Sequence, residues 1–81
     1  MKPNDLVLEI RRIINDLLRQ KGLEPINISP QSRLLTEDIP IDSLDLAVLV
    51  TELERLTQRD PFQSGFRDFR TVGELAQLYG E

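Results

Sequence analysis

The stretch Ile41-Asp42-Ser43-Leu44-Asp45-Leu46 opens a strongly hydrophobic helical run in the middle of the chain. Aspartate is a favoured N-cap residue, so we expect Asp42 to cap a helix that has Ser43 as its first residue and ends near Gln58. A serine there projects into solvent beside backbone N–H groups without intrahelical partners, at the positive end of the helix dipole. Such a position favours a phosphate.

Three roles for Ser43 are compatible with this pattern. It could serve only as part of the helix start, although Asp42 can cap the helix alone and leave the serine free. A nucleophilic serine would need a base, but the chain has no histidine, and its only lysines, Lys2 and Lys21, lie in other segments. A serine that carries a phosphodiester would be repelled by Asp42 and Asp45, so its arm would stay mobile. We therefore expect an attachment point and no catalytic residue.

Composition narrows the classes of function. The 81 residues, 40% of them hydrophobic, are enough for one small domain with a thin core. Cysteine and histidine are absent, which excludes disulfides and the commonest transition-metal ligand and fits a cytoplasmic location. No apolar stretch approaches the roughly 20 residues of a membrane span, and the N-terminus lacks a signal-peptide core. Asp38, Asp42 and Asp45 lack the spacing and central glycine of a calcium loop, so we expect no metal site.

Acidic residues are concentrated around Ser43. The net charge of −4 argues against nucleic-acid binding. From residue 37 to residue 54 the chain has six acids and no lysine or arginine, and all ten of its basic residues lie in earlier and later segments. A surface of one sign speeds the encounter with basic partner proteins. Charge alone is equally typical of a solvated helix face.

Hydrophobic periodicity predicts a helix in the first segment, followed by a long loop. Asn4 is the expected N-cap, and Gly22 suits the left-handed position after the helix. Residues 23–41 contain Pro25, Pro30 and Pro40, so we expect a loop with a short turn near residues 30–34 that packs across the helix ends. The apolar residues of the first helix recur at helical spacing: Leu6, Val7, Ile10, Ile13, Ile14, Leu17 and Leu18.

Two further helices are predicted in the last third of the chain. Asp60-Pro61 has the form of a cap followed by proline at the first helical position, which predicts a short helix interrupted near Gly65. Thr71-Val72-Gly73-Glu74 has the form of a capping box and predicts a last helix that ends at Gly80. The expected inward-facing residues of these two helices are Phe62, Phe66, Phe69, Val72, Leu75, Leu78 and Tyr79. The sequence thus predicts an all-α bundle of three longer helices and one short helix.

The ordered set of these motifs resembles the acyl carrier protein family, whose members carry 4′-phosphopantetheine on the serine of an Asp-Ser-Leu motif. Residues 41–46 resemble the family's modification segment, and Thr71-Val72-Gly73-Glu74 resembles its Thr-Val-Gly-Asp start of the last helix. The distance between the two blocks, the proline-bearing first loop and the short third helix also fit. The resemblance spans essentially the whole chain and implies an acyl-carrier-like bundle.

The resemblance implies roles for particular residues. Ser43 becomes the attachment site, and Asp42 and Leu44 become the neighbours that a phosphopantetheinyl transferase reads. The transferase would add the arm from coenzyme A with Mg²⁺, and the arm's thiol would carry acyl groups between biosynthetic enzymes as thioesters. Acyl ligases or synthases with basic docking surfaces are the implied partners of what we expect to be a monomer. The exposed recognition face of the second helix would consist of Asp45, Val48, Glu52 and Arg55.

The chain also departs from the family pattern. Pro40 stands where the family usually has glycine, and Val48 and Arg55 stand where its fatty-acid-synthesis members usually have acids. Charges at the rim of an interface mainly set partner choice and association rate. We therefore expect a carrier for a dedicated pathway. An apolar seam between helices could shelter the cargo, with Leu46, Val50, Leu53 and Phe62 as candidates that core packing alone would also explain.

A second hypothesis needs no modification. The same helix start and acidic face would suit an interaction module that docks a basic protein while Ser43 stays free. The modified and unmodified forms need the same cap, so the sequence leaves both hypotheses open.

Overall fold

The computed structural model describes residues 1–63, 65 and 67–80. This part of the chain contains three helices: α1 (Pro3–Gln20), α2 (Ser43–Thr57) and α3 (Val72–Tyr79). The same residues form no strand, and a single isolated antiparallel bridge pairs Arg33 with Thr71. The fold is therefore mostly helical, as the sequence predicts. None of the helices among these residues is long and apolar enough to cross a bilayer.

Helix α1 supplies one whole face of the core. All seven of its predicted apolar positions are buried. Its N-cap is Lys2, and Pro3 occupies the first helical turn, where proline has no N–H group to leave unpaired. The expected N-cap at Asn4 is therefore wrong, because Pro3 starts the helix earlier. Gly22 adopts the left-handed conformation (φ 79°) after the helix, as predicted.

The loop between α1 and α2 is packed and hydrogen-bonded, as its apolar residues predict. Its backbone at Ile26 is held by Asn15 of α1: the Ile26 N–H donates to Asn15 Oδ1 (2.9 Å), and Asn15 Nδ2 donates to the Ile26 carbonyl (3.3 Å). Farther along, the Leu34 N–H donates to the Arg70 carbonyl at 2.8 Å. The loop is therefore hydrogen-bonded both to α1 and to the chain just before α3. Its buried side chains are Ile28, Leu34, Ile39 and Ile41.

The segment between α2 and α3 differs from the prediction. Its described residues form a turn at 61–63 and irregular chain at 67–70, and none of them is helical. Asp60 Oδ1 accepts the Phe62 N–H at 3.1 Å, which favours a turn, and Gly65 adopts a φ of 135° that no helix contains. The expected short helix is therefore not confirmed among the residues of this segment that the structure describes, and its expected anchor Phe66 lies outside them.

Helix α3 contributes the last buried residues of the core. Thr71 caps it through the predicted capping box, and the helix ends at Gly80. Four of its residues are buried: Val72, Leu75, Ala76 and Tyr79. They pack with the buried face of α1 and with Leu49 and Leu53 of α2 in one cluster. The predicted inward position of Leu78 is only half-buried.

Candidate functional site

Two carboxylates fix the first turn of α2. Asp42 Oδ1 accepts the Asp45 N–H at 2.9 Å, and Asp45 Oδ2 accepts the Asp42 N–H at 3.2 Å. This is a capping box, in which each acid satisfies a backbone donor of the other. Ser43 takes no part in it. Its side chain is exposed and makes no hydrogen bond to any residue that the structure describes.

Two backbone donors at this helix start remain available. The N–H groups of Ser43 and Leu44 have no hydrogen-bond partner within residues 1–63, 65 and 67–80. These groups stand at the positive end of the α2 dipole, beside the exposed hydroxyl. The first turn therefore offers an anion two N–H donors next to the serine oxygen.

Lys21 reaches this turn from the end of α1. Its ammonium donates a hydrogen bond to Asp45 Oδ2 and lies 3.9 Å from Asp42 Oδ2. This ion pair lowers the pKa of the Asp45 carboxyl below its ordinary value, with help from the Asp42 backbone N–H. The same hydrogen bond raises the pKa of the Lys21 ammonium above its ordinary value. The end of α1 is thus tied to the start of α2 by charge.

The position of Lys21 bears on the argument that no lysine lies near Ser43 to act as its base. The two lysines lie far from Ser43 along the chain, yet the fold brings Lys21 to the same helix turn. A lysine with a raised pKa remains protonated near neutral pH and cannot accept a proton from a serine. Lys21 is therefore a structural cation in this turn and not a general base for Ser43.

Asp45 corrects the predicted recognition face. The resemblance implied an exposed Asp45, but the residue is only 8% exposed. Its carboxylate faces inward because it must reach both the Asp42 N–H and the Lys21 ammonium. A partner protein cannot read a charge that is buried and paired in this way.

The rest of the predicted recognition face is accessible. Leu44 is 74% exposed and Val48 is 43% exposed. Together with Ala47, Thr51 and Glu52 they line a shallow apolar depression of 230 Å³, which we call the outer face of α2. Arg55 is exposed and donates to Glu52 Oε2 at 2.8 Å, which lowers the pKa of the Glu52 carboxyl. This pair cancels most of the charge beside the apolar depression.

A second depression includes Ser43 and adjoins the outer face of α2 at Ala47, which lines both. It has a volume of 320 Å³, and we call it the Ser43 groove. Its walls come from α2 and from the segment before α3: Ser43, Leu46, Ala47, Val50, Phe62 and Phe69. Apart from the serine, every lining side chain is apolar.

The sequence anticipated three of the five apolar residues that line this groove. Leu46, Val50 and Phe62 belong to the predicted seam and do line it, whereas Leu53 lies wholly inside the core. Core packing alone does not account for Leu46 and Val50, because both are only half-buried where the groove opens over them. The sequence pattern missed Ala47 and Phe69 as wall residues. Helical spacing gave a signal for Ala47, which lies four residues after Ser43 and three before Val50.

Comparison of the chain with protein-family models, with curated proteins and with solved structures finds no match.

Proposed function

We propose that this protein is an acyl carrier protein that holds 4′-phosphopantetheine on Ser43 and performs no chemistry of its own. The observation that carries the proposal is the exposed, unbonded Ser43 hydroxyl at the mouth of an apolar groove. A modifying enzyme needs access to that oxygen, and the capping box leaves it accessible.

The first turn of α2 suits a phosphodiester. The N–H groups of Ser43 and Leu44 can donate to phosphate oxygens, and no other part of the described chain competes for them. Asp42 is exposed beside them and repels an anion, whereas Lys21 partly neutralises both acids of the turn. The opposing charges favour a phosphate that is accommodated but not tightly held, which suits an arm that must swing between enzymes.

The Ser43 groove suits an acyl chain. When bound, the arm supplies a thiol that carries the acyl group as a thioester. The groove begins at Ser43 and is walled by aliphatic and aromatic side chains, so it can cover hydrocarbon that would otherwise face water. The arm also raises the effective concentration of the cargo at each partner enzyme, because cargo and domain are tethered. An acyl-carrier-like bundle in which a turn replaces the short helix would be compatible with these roles.

The outer face of α2 is the proposed docking surface for the transferase and for acyl ligases or synthases. Its centre is Leu44 and Val48, and its nearest charge, Glu52, is paired with Arg55. A partner would therefore gain more from apolar contact and less from charge than it would on an all-acidic helix. This supports a carrier for a dedicated lipid or secondary-metabolite pathway and not for general fatty acid biosynthesis.

Intact mass after co-expression with a phosphopantetheinyl transferase tests the attachment. We expect wild-type protein to gain the mass of one phosphopantetheine, Ser43→Ala to gain none, and the matched exposed serine variant Ser29→Ala to gain it normally. An unchanged mass of the wild-type protein would falsify the carrier proposal. It would favour the alternative, an unmodified module that uses the outer face of α2 for protein–protein docking.

Pathway specificity has a separate test. Purified holo-protein is offered to a general fatty-acid synthase set and to acyl ligases encoded beside its gene. We expect the ligases to acylate it and the general set to do so poorly. Efficient use by the general set would contradict the dedicated pathway while leaving the attachment at Ser43 intact.

A further inference from the structure

Tyr79 has a polar group that the fold leaves without a partner. The residue is wholly buried in the last turn of α3. Its hydroxyl makes no hydrogen bond with any residue in the described part of the chain. Buried hydroxyls in native proteins are nearly always hydrogen-bonded, because an unpaired one loses its water without compensation.

Packing alone does not explain this hydroxyl. A phenylalanine would fill the same space among the apolar residues of the core without burying an oxygen. Burial, and the negative charges of Glu54 and Asp60, raise the pKa of the Tyr79 phenol. The group is therefore a protonated donor that is available to an acceptor from outside the protein chain.

Phe62 separates this hydroxyl-bearing ring from the Ser43 groove. The Phe62 ring lines the groove and also packs edge-on against the Tyr79 ring, with 6.3 Å between centroids. Phe62 stands on the turn at residues 61–63 and is only half-buried. Its ring also touches the ring of Phe69, the other aromatic wall of the groove, at 5.9 Å. One aromatic layer thus lies between the groove and the Tyr79 ring.

We propose that Tyr79 determines cargo specificity: its hydroxyl donates a hydrogen bond to an oxygen on the distal part of an acyl chain that enters through the Ser43 groove. This inference rests on the proposed carrier function and adds a substrate class to it. The favoured cargo is a mainly hydrocarbon chain with one hydroxyl or keto oxygen beyond the carbons that the groove covers. Phe62 is the side chain that must move for a chain to pass from the groove to Tyr79, because it lines the groove and packs against the Tyr79 ring.

The expected selectivity follows from the unpaired state of the hydroxyl. A plain hydrocarbon chain that displaces Phe62 leaves the hydroxyl unpaired, whereas a chain with an oxygen at the right carbon satisfies it. Sites built to hydrogen-bond a substrate oxygen discriminate against the analogue that lacks it for this reason. One neutral hydrogen bond corresponds to a preference of about threefold to tenfold.

The test compares wild-type protein with Tyr79→Phe, each loaded on Ser43 with ten-carbon chains. One chain is unsubstituted, and the others carry a single hydroxyl at successive carbons. Hydroxylamine cleavage of the thioester measures how far the cargo is sheltered. We expect wild-type protein to slow cleavage about threefold to tenfold more for one distal hydroxyl position than for the plain chain. The Tyr79→Phe variant should show no preferred position.

The melting temperature without cargo tests whether the Tyr79 hydroxyl has a structural role. Removing an unpaired hydroxyl leaves the packing intact, so Tyr79→Phe without cargo should have a melting temperature equal to or higher than that of the wild type. A flat position profile in wild-type protein, or the same preferred position in both proteins, overturns the proposal. That result requires normal loading of Ser43, so it is distinct from failure of the carrier proposal, in which neither protein gains the arm.

Discussion

Helices α2 and α3 both begin with a capping box, but the backbone N–H groups that follow the two N-caps differ in whether they are hydrogen-bonded. Each has a capping box in which the N-cap residue and the acid three positions later satisfy each other's backbone N–H. At α3 the next donors are also used: the Val72 N–H donates to the Ser32 carbonyl (3.0 Å), and the Gly73 N–H donates to the Pro30 carbonyl (2.8 Å). At α2 the equivalent donors have no partner in the described chain. The capping box therefore starts a helix, and the neighbouring chain decides whether the next two N–H donors remain available.

The side chains at the two helix starts also differ in how closely the neighbouring chain packs against them. The second residue of α3 is Gly73, which lies against Pro30 of the first loop. The second residue of α2 is Leu44, which projects into solvent. The start of α3 thus packs against the first loop, whereas the start of α2 is an accessible surface that includes Ser43.

The largest expected contrast between the two helix starts is in packing. A Cβ atom at Gly73 would lie 3.0 Å from the Pro30 carbonyl oxygen and 3.1 Å from its Cβ. We expect Gly73→Leu to destabilise the protein by about 1–3 kcal/mol, because the loop must move to admit the side chain. Leu44→Ala should change stability by less than about 0.5 kcal/mol. Urea unfolding measures both, and equal losses would contradict the contrast.

The caps themselves should contribute similarly to stability. We expect Asp42→Ala and Thr71→Ala each to cost about 1 kcal/mol of unfolding free energy, because each removes the acceptor for the N–H at the third helical position. Only Asp42→Ala should also slow the modification of Ser43. Thermal unfolding and transferase kinetics on the same samples separate the effects. An equal loss of modification in Thr71→Ala would show that general helix stability controls the reaction.

The ion pair at the start of α2 predicts a pH dependence. The pKa of Asp45 is lowered by Lys21, so its contribution to stability is present above its unfolded value of 3.8 and is lost as pH falls through the lower folded value. Wild-type protein should therefore lose more stability below about pH 5 than Asp45→Asn does. Urea unfolding from pH 6 to pH 2 measures the difference.

Lys21→Met is the matched control for that measurement. It leaves the Asp45 carboxyl in place but removes the ammonium that lowers its pKa. The acid-dependent loss of stability should become smaller in this variant. If it stays as large as in wild-type protein, another group causes it.

The smallest expected effect concerns charge on the outer face of α2. Val48→Glu adds an acid to an exposed position that carries none. We expect the transferase to bind this variant about twofold faster at low salt, with the gain disappearing at high salt. The control Val48→Gln, whose side chain has the shape of glutamate without its charge, should show no gain. A salt-independent change would indicate an altered contact and not electrostatic steering.

The sequence predicted the parts of the fold that depend on neighbouring residues. Apolar spacing located α1, and the short-range motifs Asp42–Asp45 and Thr71–Glu74 located the starts of α2 and α3. It failed at residues 61–63, where proline after aspartate is compatible with a helix and with a turn. There Asp60 Oδ1 accepts a hydrogen bond from the Phe62 N–H, and Gly65 has a positive φ that a helix does not contain.

A serine directly after a capping aspartate at the start of a helix can be recognised from the sequence alone, because the cap involves residues only three apart. The contacts between distant segments depend instead on how the helices pack. The tertiary structure brought Lys21 from α1 to Asp45, left the N–H groups of Ser43 and Leu44 available among the described residues, and placed Phe62 between the Ser43 groove and Tyr79. These are contacts between residues far apart in the chain, whose partners are set by how the helices pack and not by local periodicity.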